Sequence, residues 1–372
     1  MFLELFFVFI SSFLFLFMLR KAARKVGLVD KPNARKLHKG AIPLVGGLAI
    51  CISITQLLVF KPDLITHSKL FIGCIVLLAV LGAFDDKFDI SVKIRLLVQT
   101  ALAIVMLNVA DIELLDIGNI VGGGNIHLGL LAPIATIVAV IGAINAFNMV
   151  DGIDGLLGGL SITVFAGLSY LLFDKGQTGL AYLSIAIIVA MIPYVCMNLG
   201  ICGRQRKVFM GDAGSMVIGF SVIWLLLEAS QNSQHNSGPI MRPITALWLI
   251  AVPLMDMAAI MIRRIRRGVS PFKPDREHLH HIFQRLGFSS RETLLIICLI
   301  SVFYVSFGIY GEMNAIDESV MFALFMFCFA IYAVSLSYVW RITHFLRKRL
   351  KLHRIRKLRK TSVAGVLESD NV

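Results

Sequence analysis

Residues 131–156 read LAPIATIVAVIGAINAFNMVDGIDGL, an apolar run that ends in a cluster of asparagine and aspartate. Asn145, Asn148, Asp151 and Asp154 recur at three-residue steps, and residues three apart share one face of a helix. The stretch predicts a membrane-crossing helix whose last turns are polar on one side. Buried ionisable groups are costly unless they are paired or bind a metal, which favours a cation or a polar ligand here. A polar helix end with Asx caps and glycine turns is the alternative.

The same apolar character extends along the whole chain. Its 372 residues are 57% hydrophobic, with a mean hydropathy of +0.81, which excludes an ordinary soluble domain and a disordered chain. About 20 apolar residues span a bilayer. The sequence therefore predicts an all-α polytopic membrane protein with about eleven transmembrane helices. The apolar stretches are 2–19, 44–60, 70–84, 96–110, 131–148, 156–173, 179–197, 214–228, 243–262, 293–310 and 319–340.

Basic residues predict the orientation, because cytoplasmic loops are enriched in lysine and arginine. With the C-terminus in the cytoplasm and the N-terminus in the periplasm, 32 of the 36 basic residues fall on the cytoplasmic side. We expect a membrane catalytic domain over residues 1–345 and a basic cytoplasmic tail over 346–372. The basic tail suits anionic headgroups beside the last span better than nucleic acid, so no nucleic-acid partner is expected. Arg20 and Lys21 follow the first span, which favours a retained span over a cleaved signal peptide.

The remaining polar motifs all fall on the predicted cytoplasmic side. Each has a structural alternative when it is taken alone: the adjacent aspartates could be a solvated pair, and the Gly-Asp-Ala-Gly-Ser segment could be a helix cap. A purely structural account does not predict that all of them share one side. These residues are Asp85, Asp86, Asp151, Asp154, Asn198, Asp212, His278, His280 and His281.

The residue types favour phosphoryl transfer over zinc chemistry. Carboxylates that hold a hard cation, combined with basic side chains and histidines that contact phosphates, are the parts that phosphoryl transfer needs. Oxygen ligands favour Mg²⁺ or Mn²⁺. The histidines have no accompanying cysteine and no ordered ligand spacing, so phosphate contact or general acid chemistry is expected of them rather than zinc binding. A location in the membrane implies that one substrate is a lipid.

These motifs together resemble the polyprenyl-phosphate N-acetylhexosamine-1-phosphate transferase family, in particular its WecA-type branch and more distantly its MraY branch. The resemblance covers about residues 1–345. It rests on five segments in order, all on one side of the predicted spans. They are 32–38 with Pro43 and Gly46-Gly47, Asp85-Asp86, 145–155, 211–215, and 278–281.

The resemblance implies a catalytic group and a metal ligand. Asp85 and Asp86 would lie beside the lipid phosphate, one of them as a base or as a neighbour of the metal. His280 and His281 would contact the diphosphate and the sugar. Asp212 would be the main ligand of Mg²⁺, or of Mn²⁺ in its place.

The resemblance also implies a set of substrate-binding residues. Arg95 stands where the MraY branch has lysine, which keeps the charge but changes the geometry. Leu279 interrupts the three consecutive histidines of that branch, which argues for a plain N-acetylhexosamine and against a muramyl pentapeptide. The implied substrate-binding residues are Lys39, Arg95, Asn148, Asp151, Asp154, Asn198, Arg276 and His278.

The activity so implied is transfer of GlcNAc-1-phosphate from UDP-GlcNAc to undecaprenyl phosphate, at the cytoplasmic face of a bacterial inner membrane. It would be the first membrane step of a cell-surface polysaccharide of the O-antigen or enterobacterial common antigen type. Direct displacement is expected, with a two-step route through an aspartyl-phosphate as the alternative. The functional alternatives are the same chemistry with another UDP-N-acetylhexosamine as donor, a transporter, and a non-catalytic scaffold. A homodimer is among the assemblies that the sequence allows.

Overall fold

The apolar stretches of the sequence become helices in the computed structural model, which describes residues 2–31, 40–231, 240–271 and 278–338. Two-residue strands β1 (Val29–Asp30) and β2 (Ile42–Pro43) form an antiparallel pair between the first two helices. The helices are α1 Phe2–Val26, α2 Gly46–Phe60, α3 Ser68–Phe88, α4 Val92–Ala110, α5 Ala132–Val150, α6 Leu156–Asp174, α7 Thr178–Asn198, α8 Gly211–Gln231, α9 Pro243–Leu249, α10 Ala251–Arg266, α11 Leu279–Leu286, α12 Ser290–Met313 and α13 Glu318–Ser337.

This architecture confirms the predicted all-α polytopic fold. Within the described ranges, nine helices are long and apolar enough to cross a membrane. The pair α9 and α10 makes a tenth candidate if it counts as one span, although it is bent by 83°. Pro253 explains the break, because it has no N–H to donate to Leu249, the last residue of α9. The second predicted stretch forms α2, which has only 15 residues.

The helix ends differ from the predicted ones where the polar motifs lie. Helix α3 continues to Phe88, so Asp85 and Asp86 lie inside the helix rather than after it. Helix α5 ends at Val150, so the three-residue spacing follows a helix face through Asn148 and no further. The turn that carries the two later aspartates ends instead at Gly155, whose φ of +79° favours glycine. The predicted basic tail, residues 346–372, lies outside the described residues.

Helix α8 forms the centre of the bundle. The whole of its most apolar window is buried, and it packs against α2, α3 and α5. The backbones of α3 and α8 touch at Gly82, where a Cβ would lie 2.2 Å from the amide nitrogen of Ala213. Any larger residue would push the two helices apart. This contact brings the next turn of α3, which carries the aspartate pair, beside Asp212 in the first turn of α8.

Candidate active site

A cavity of about 1810 Å³ opens at the end of the bundle where α3, α5 and α7 finish and α8 begins. It gathers side chains from segments that are far apart in sequence. Most of the predicted site residues that the structure describes lie in its wall. They are Asp85, Asp86, Asn148, Asp151, Asp154, Asn198, Asp212 and His281.

The first aspartate of the pair is held by a cation. Asp85 is buried, and its Oδ2 accepts a hydrogen bond of 2.7 Å from Nη1 of Arg95, near the start of α4. The same guanidinium nitrogen lies 3.9 Å from Oδ2 of Asp212. Arg95 therefore faces two carboxylates that line the cavity, although its own side chain is not among the lining residues.

The second aspartate has a different task. Both carboxylate oxygens of Asp86 accept from the backbone N–H of Asp212, each at 3.0 Å. The first N–H groups of a helix have no partner within it, and a negative charge near them is favourable. Asp86 thus caps α8 from a neighbouring helix. That cap fixes the backbone that carries Asp212.

Asp212 itself is oriented by an amide. Nδ2 of Asn148 donates to Oδ1 of Asp212 at 2.7 Å and to Oγ of Ser215 at 2.8 Å. Asn148 is the last member of the polar face of α5, so the spacing that pointed to it in the sequence places it against α8. The contact leaves Oδ2 of Asp212 facing Arg95.

The turn 151–155 presents two further carboxylates. In the described part of the chain, no donor or cation contacts the carboxylate of Asp151. Asp151 is exposed to the cavity. The neighbouring protein, which displaces part of the surrounding water, and the negative charges of Asp212 and Asp154 raise the pKa of Asp151 above its usual value. Asp154 instead pairs with Nζ of Lys207 at 2.5 Å.

Asn198 joins this turn to the loop before α8. Its Oδ1 accepts from the N–H of Gly155 at 2.6 Å, and its Nδ2 donates to the carbonyl of Val208 at 2.9 Å. The side chain lines the cavity but uses both ends of its amide on the backbone. Its predicted role in substrate binding is therefore accompanied by a structural role.

Sequence reasoning missed Lys207, which lies in the cavity wall beside Phe209. The ammonium of Lys207 is 5.2 Å from the centroid of the Phe209 ring while it pairs with Asp154. A basic residue four positions before Gly211 of the Gly-Asp-Ala-Gly-Ser segment, on the side where the other motifs lie, is the signal that the sequence offers.

His280 and His281 lie on a short helix, α11, and His278 is its N-cap residue. His280 is buried, and its ring packs on Gly152, where a Cβ would lie 2.1 Å from Nε2. Burial, with the charges of His281 and His278, lowers the pKa of His280 to about 3. His280 is therefore neutral near pH 7 and offers a hydrogen-bonding ring rather than a positive charge. His281 lines the cavity, with its ring centroid 4.1 Å from that of His280.

Two predicted substrate contacts lie outside the described residues: Lys39, with the motif 32–38 before it, and Arg276. His278 is described, but it does not line the cavity. Its Nδ1 lies 2.8 Å from Oδ2 of Asp256, on α10. It therefore reaches the site only through its neighbours on α11.

The donor set at the cavity suits a hard divalent cation. Among the residues that the structure describes, no three histidine, cysteine, aspartate or glutamate side chains are arranged to hold a metal ion by themselves. Mg²⁺ does not require such a cage, because it keeps several waters and takes one or two carboxylates with substrate phosphates. The carboxylate oxygens of Asp212 and Asp151 at the cavity fit that mode of binding, and Mn²⁺ accepts the same oxygen donors.

Comparisons with known proteins agree with the geometry. The profile of the family described as "Glycosyl transferase family 4" matches residues 68–230. A protein of Yersinia pestis is 48% identical over 360 residues, which cover 96% of each chain, and one of Salmonella typhi is 48% identical over 358 residues with the same coverage. One of Haemophilus influenzae is 44% identical over 96% of this chain and 99% of its own. All three are named undecaprenyl-phosphate alpha-N-acetylglucosaminyl 1-phosphate transferase. The chain therefore belongs to glycosyl transferase family 4, as a phosphoglycosyl transferase of the polyprenyl-phosphate N-acetylhexosamine-1-phosphate transferase type.

Proposed function

We propose that the protein transfers GlcNAc-1-phosphate from UDP-GlcNAc to undecaprenyl phosphate, giving undecaprenyl-diphosphate-GlcNAc and UMP. The observation that carries the proposal is the meeting of the acidic motifs of α3, of the 151–155 turn and of α8 around one cavity. Lys207 lies in the wall of that cavity, and Arg95 pairs with Asp85 behind it. Carboxylates for a cation and basic groups for phosphates are what a diphosphate donor and a phosphate acceptor require. The relatives' names supply the sugar and the lipid.

The reaction is a displacement at phosphorus. An oxygen of the lipid phosphate bonds to the β-phosphorus of UDP-GlcNAc, the bond from that phosphorus to the bridging oxygen breaks, and UMP leaves with the electron pair. Arg95 would hold the lipid phosphate beside Asp85. Lys207 would neutralise charge at the diphosphate end, next to Asp154. His280 and His281 would contact the diphosphate and the sugar through hydrogen bonds.

Direct displacement is the route that the contacts favour. A covalent route through the aspartate pair needs a free carboxylate as nucleophile, but Asp85 is paired with Arg95 and Asp86 is engaged by the backbone at the start of α8. Asp151 has no such partner, but in this proposal its charge serves the cation beside Asp212. Mg²⁺ or Mn²⁺, held by Asp212 with Asp151 near it, would supply charge neutralisation of the diphosphate and of the leaving UMP.

The assay that tests this function uses membranes with the expressed protein, undecaprenyl phosphate and UDP-GlcNAc labelled in the sugar and in the β-phosphate. Both labels should appear together in the lipid product, with release of UMP. Parallel reactions with UDP-GalNAc test the sugar. Appearance of the sugar label without the phosphate label would refute the proposed bond change, and a preference for UDP-GalNAc would refute the proposed donor.

We further propose eleven spans, with the N-terminus in the periplasm and the cavity open to the cytoplasm of a bacterial inner membrane. The supporting observations are the strongly basic loops at the cavity end and the short α2, which lies in the bundle between α1 and α3. In a cysteine-free background, Lys175→Cys should react with an impermeant thiol reagent in intact cells, and Lys31→Cys should react only after permeabilisation. The reverse pattern would overturn the orientation. The product would then start a cell-surface polysaccharide of the O-antigen or enterobacterial common antigen type, built on the cytoplasmic face.

A further inference from the structure

The start of α11 is held by a buried carboxylate that lies outside the sequence motifs. Asp256 lies on α10 and is only 2% exposed. Three donors from two other helices converge on it. They are Nδ1 of His278 at 2.8 Å, the backbone N–H of Leu279 at 3.0 Å and the hydroxyl of Tyr332, on α13, at 2.5 Å.

This arrangement explains how a carboxylate is retained inside an apolar bundle. A buried carboxylate destabilises the fold unless donors replace its water. Here Oδ1 accepts from Leu279 and Tyr332 while Oδ2 faces His278. A carboxylate only accepts, so Nδ1 of His278 carries the proton and the imidazole is fixed in one orientation.

Asp256 also replaces the missing cap of α11. His278 occupies the N-cap position, but its own side chain makes no capping hydrogen bond. The N–H groups of the first helical turn need acceptors, and a carboxylate near them is favourable. Asp256 gives Leu279 that acceptor from another helix, so one side chain sets both the start of α11 and the ring that precedes it.

The consequence reaches the cavity through ring contacts. The His278 and His280 rings are nearly parallel, with centroids 5.7 Å apart and an interplanar angle of 6°. His280 in turn packs on Gly152, between the two carboxylates of the 151–155 turn, and among the described residues no hydrogen-bond partner reaches its buried Nε2. A continuous series of contacts therefore links Asp256 to the wall of the cavity.

We propose that Asp256 is a positioning residue, held in place by Tyr332, that sets α11 so that His280 and His281 face the acidic turn and the bound donor. The inference rests on the proposed function for its catalytic consequence, but its structural part stands apart from it. Asp256 touches no substrate in this scheme and acts through His278.

The experiment uses the purified full-length protein in detergent and two readouts. The variants are Asp256→Asn, Asp256→Ala and Tyr332→Phe, with Glu228→Gln as a matched control. Glu228 is also a buried carboxylate with one aromatic donor, Trp224, but it lines a separate cavity away from the histidines. The first readout is the rate at which diethyl pyrocarbonate modifies His280, measured by peptide mass spectrometry against the exposed His127, whose side chain is 74% exposed.

The second readout is the steady-state kinetics of transfer. Asp256→Ala should lower kcat by about 10- to 100-fold, by analogy with the loss of the hydrogen-bond partner that orients a metal-bound histidine, and should change KM for UDP-GlcNAc by less than about threefold. Asp256→Asn keeps one acceptor for Leu279 and should recover part of kcat, and Tyr332→Phe should lose about three- to tenfold. Modification of His280 should rise in the same order, while Glu228→Gln leaves both readouts unchanged.

The outcomes separate the two proposals. A wild-type protein that shows no transfer refutes the proposed function, while the modification rates still test the positioning role. His280 that stays as protected in Asp256→Ala as in the wild type, in a protein with an unchanged thermal midpoint, overturns the inference. Equal loss of kcat in Glu228→Gln would also overturn it, because the effect would then be general to buried carboxylates. Tyr332→Phe, which removes one hydroxyl, keeps the test available if Asp256→Ala does not fold.

Discussion

Carboxylates at the two ends of the bundle differ in the partners that they contact. At the end away from the cavity, Glu4 meets Lys61 at 2.5 Å, and Glu312 meets Nε of Arg242 at 3.2 Å, so each acid has a nearby base. At the cavity end, within the described residues, the carboxylate of Asp151 has neither a donor nor a cation. Glu228, the buried acid at the opposite end, still accepts from the indole N–H of Trp224. The lack of a donor or a cation therefore distinguishes Asp151 and makes it a candidate binding group.

Removing the central acid at the cavity end should have the largest effect. Asp212→Asn keeps the shape and the contact with Asn148 but removes the charge that would hold a cation, so we expect kcat to fall by about 1000-fold or more. The measurement is transfer at saturating Mg²⁺ in purified protein. Asp63→Asn, an exposed acid at the opposite end, is the control and should be unaffected. Near-normal turnover of Asp212→Asn would mean that this side chain only accepts the hydrogen bond of Asn148.

Gly152→Ala should have the next largest effect, through sterics alone. The added methyl would occupy the position 2.1 Å from Nε2 of His280, so the ring or the turn must move, and a displacement of about 1 Å at a catalytic group costs about 100-fold. In a His280→Ala background the same change should cost little, because the obstructing ring is gone. Equal losses in both backgrounds, measured as kcat in a double-mutant cycle, would contradict the contact.

Lys207→Met tests the cavity end by breaking the ion pair between Lys207 and Asp154 of the acidic turn. The side chain keeps its length but loses the charge opposite Asp154, which should weaken binding of a diphosphate donor. We expect kcat/KM for UDP-GlcNAc to fall about tenfold, mainly through KM. Lys61→Met, which breaks the ion pair with Glu4 at the other end, is the control. A selective loss of kcat at constant KM would assign Lys207 to the chemical step instead.

Glu312→Gln should have the smallest effect on transfer. Its carboxylate accepts from Arg242 and from the hydroxyl of Thr245, so the amide leaves the arginine with a weaker partner. The thermal midpoint of the purified protein should fall by a few degrees while kcat stays within about twofold, since the pair lies away from the cavity. A stable protein with a large loss of transfer would break the division between the two ends.

Hydropathy was sufficient to predict most of the helices. Each apolar stretch is longer than a typical strand of a soluble protein. A helix satisfies its own backbone hydrogen bonds, so it forms whether its side chains face lipid or other helices. The ends were harder, because they depend on partners. Inside α3, Asp85 is stabilised by its ion pair with Arg95, and Asp86 by the backbone N–H of Asp212 at the start of α8. No local pattern reports that.

The site was predictable where the sequence clusters its polar residues, and not where a single residue finds distant partners. Asp256 stands alone in its stretch, 22 residues before His278 and 76 before Tyr332. An isolated acid inside a predicted span is nevertheless unusual enough to deserve a functional hypothesis. Helix α11 escaped prediction because its eight residues follow a polar segment and show no long apolar periodicity.

Helix α8 is buried in the bundle and α11 is a short helix at the surface. The two sides of the cavity should therefore open on different timescales. Amides in the most buried helix exchange with solvent only when the bundle itself opens, whereas a short helix at the surface can open locally. Hydrogen exchange should therefore be slowest in α8, just beyond the turn that bears Asp212, and much faster in α11. The side of the cavity that carries Asp212 should therefore keep its geometry while α11, on the other side, opens and closes.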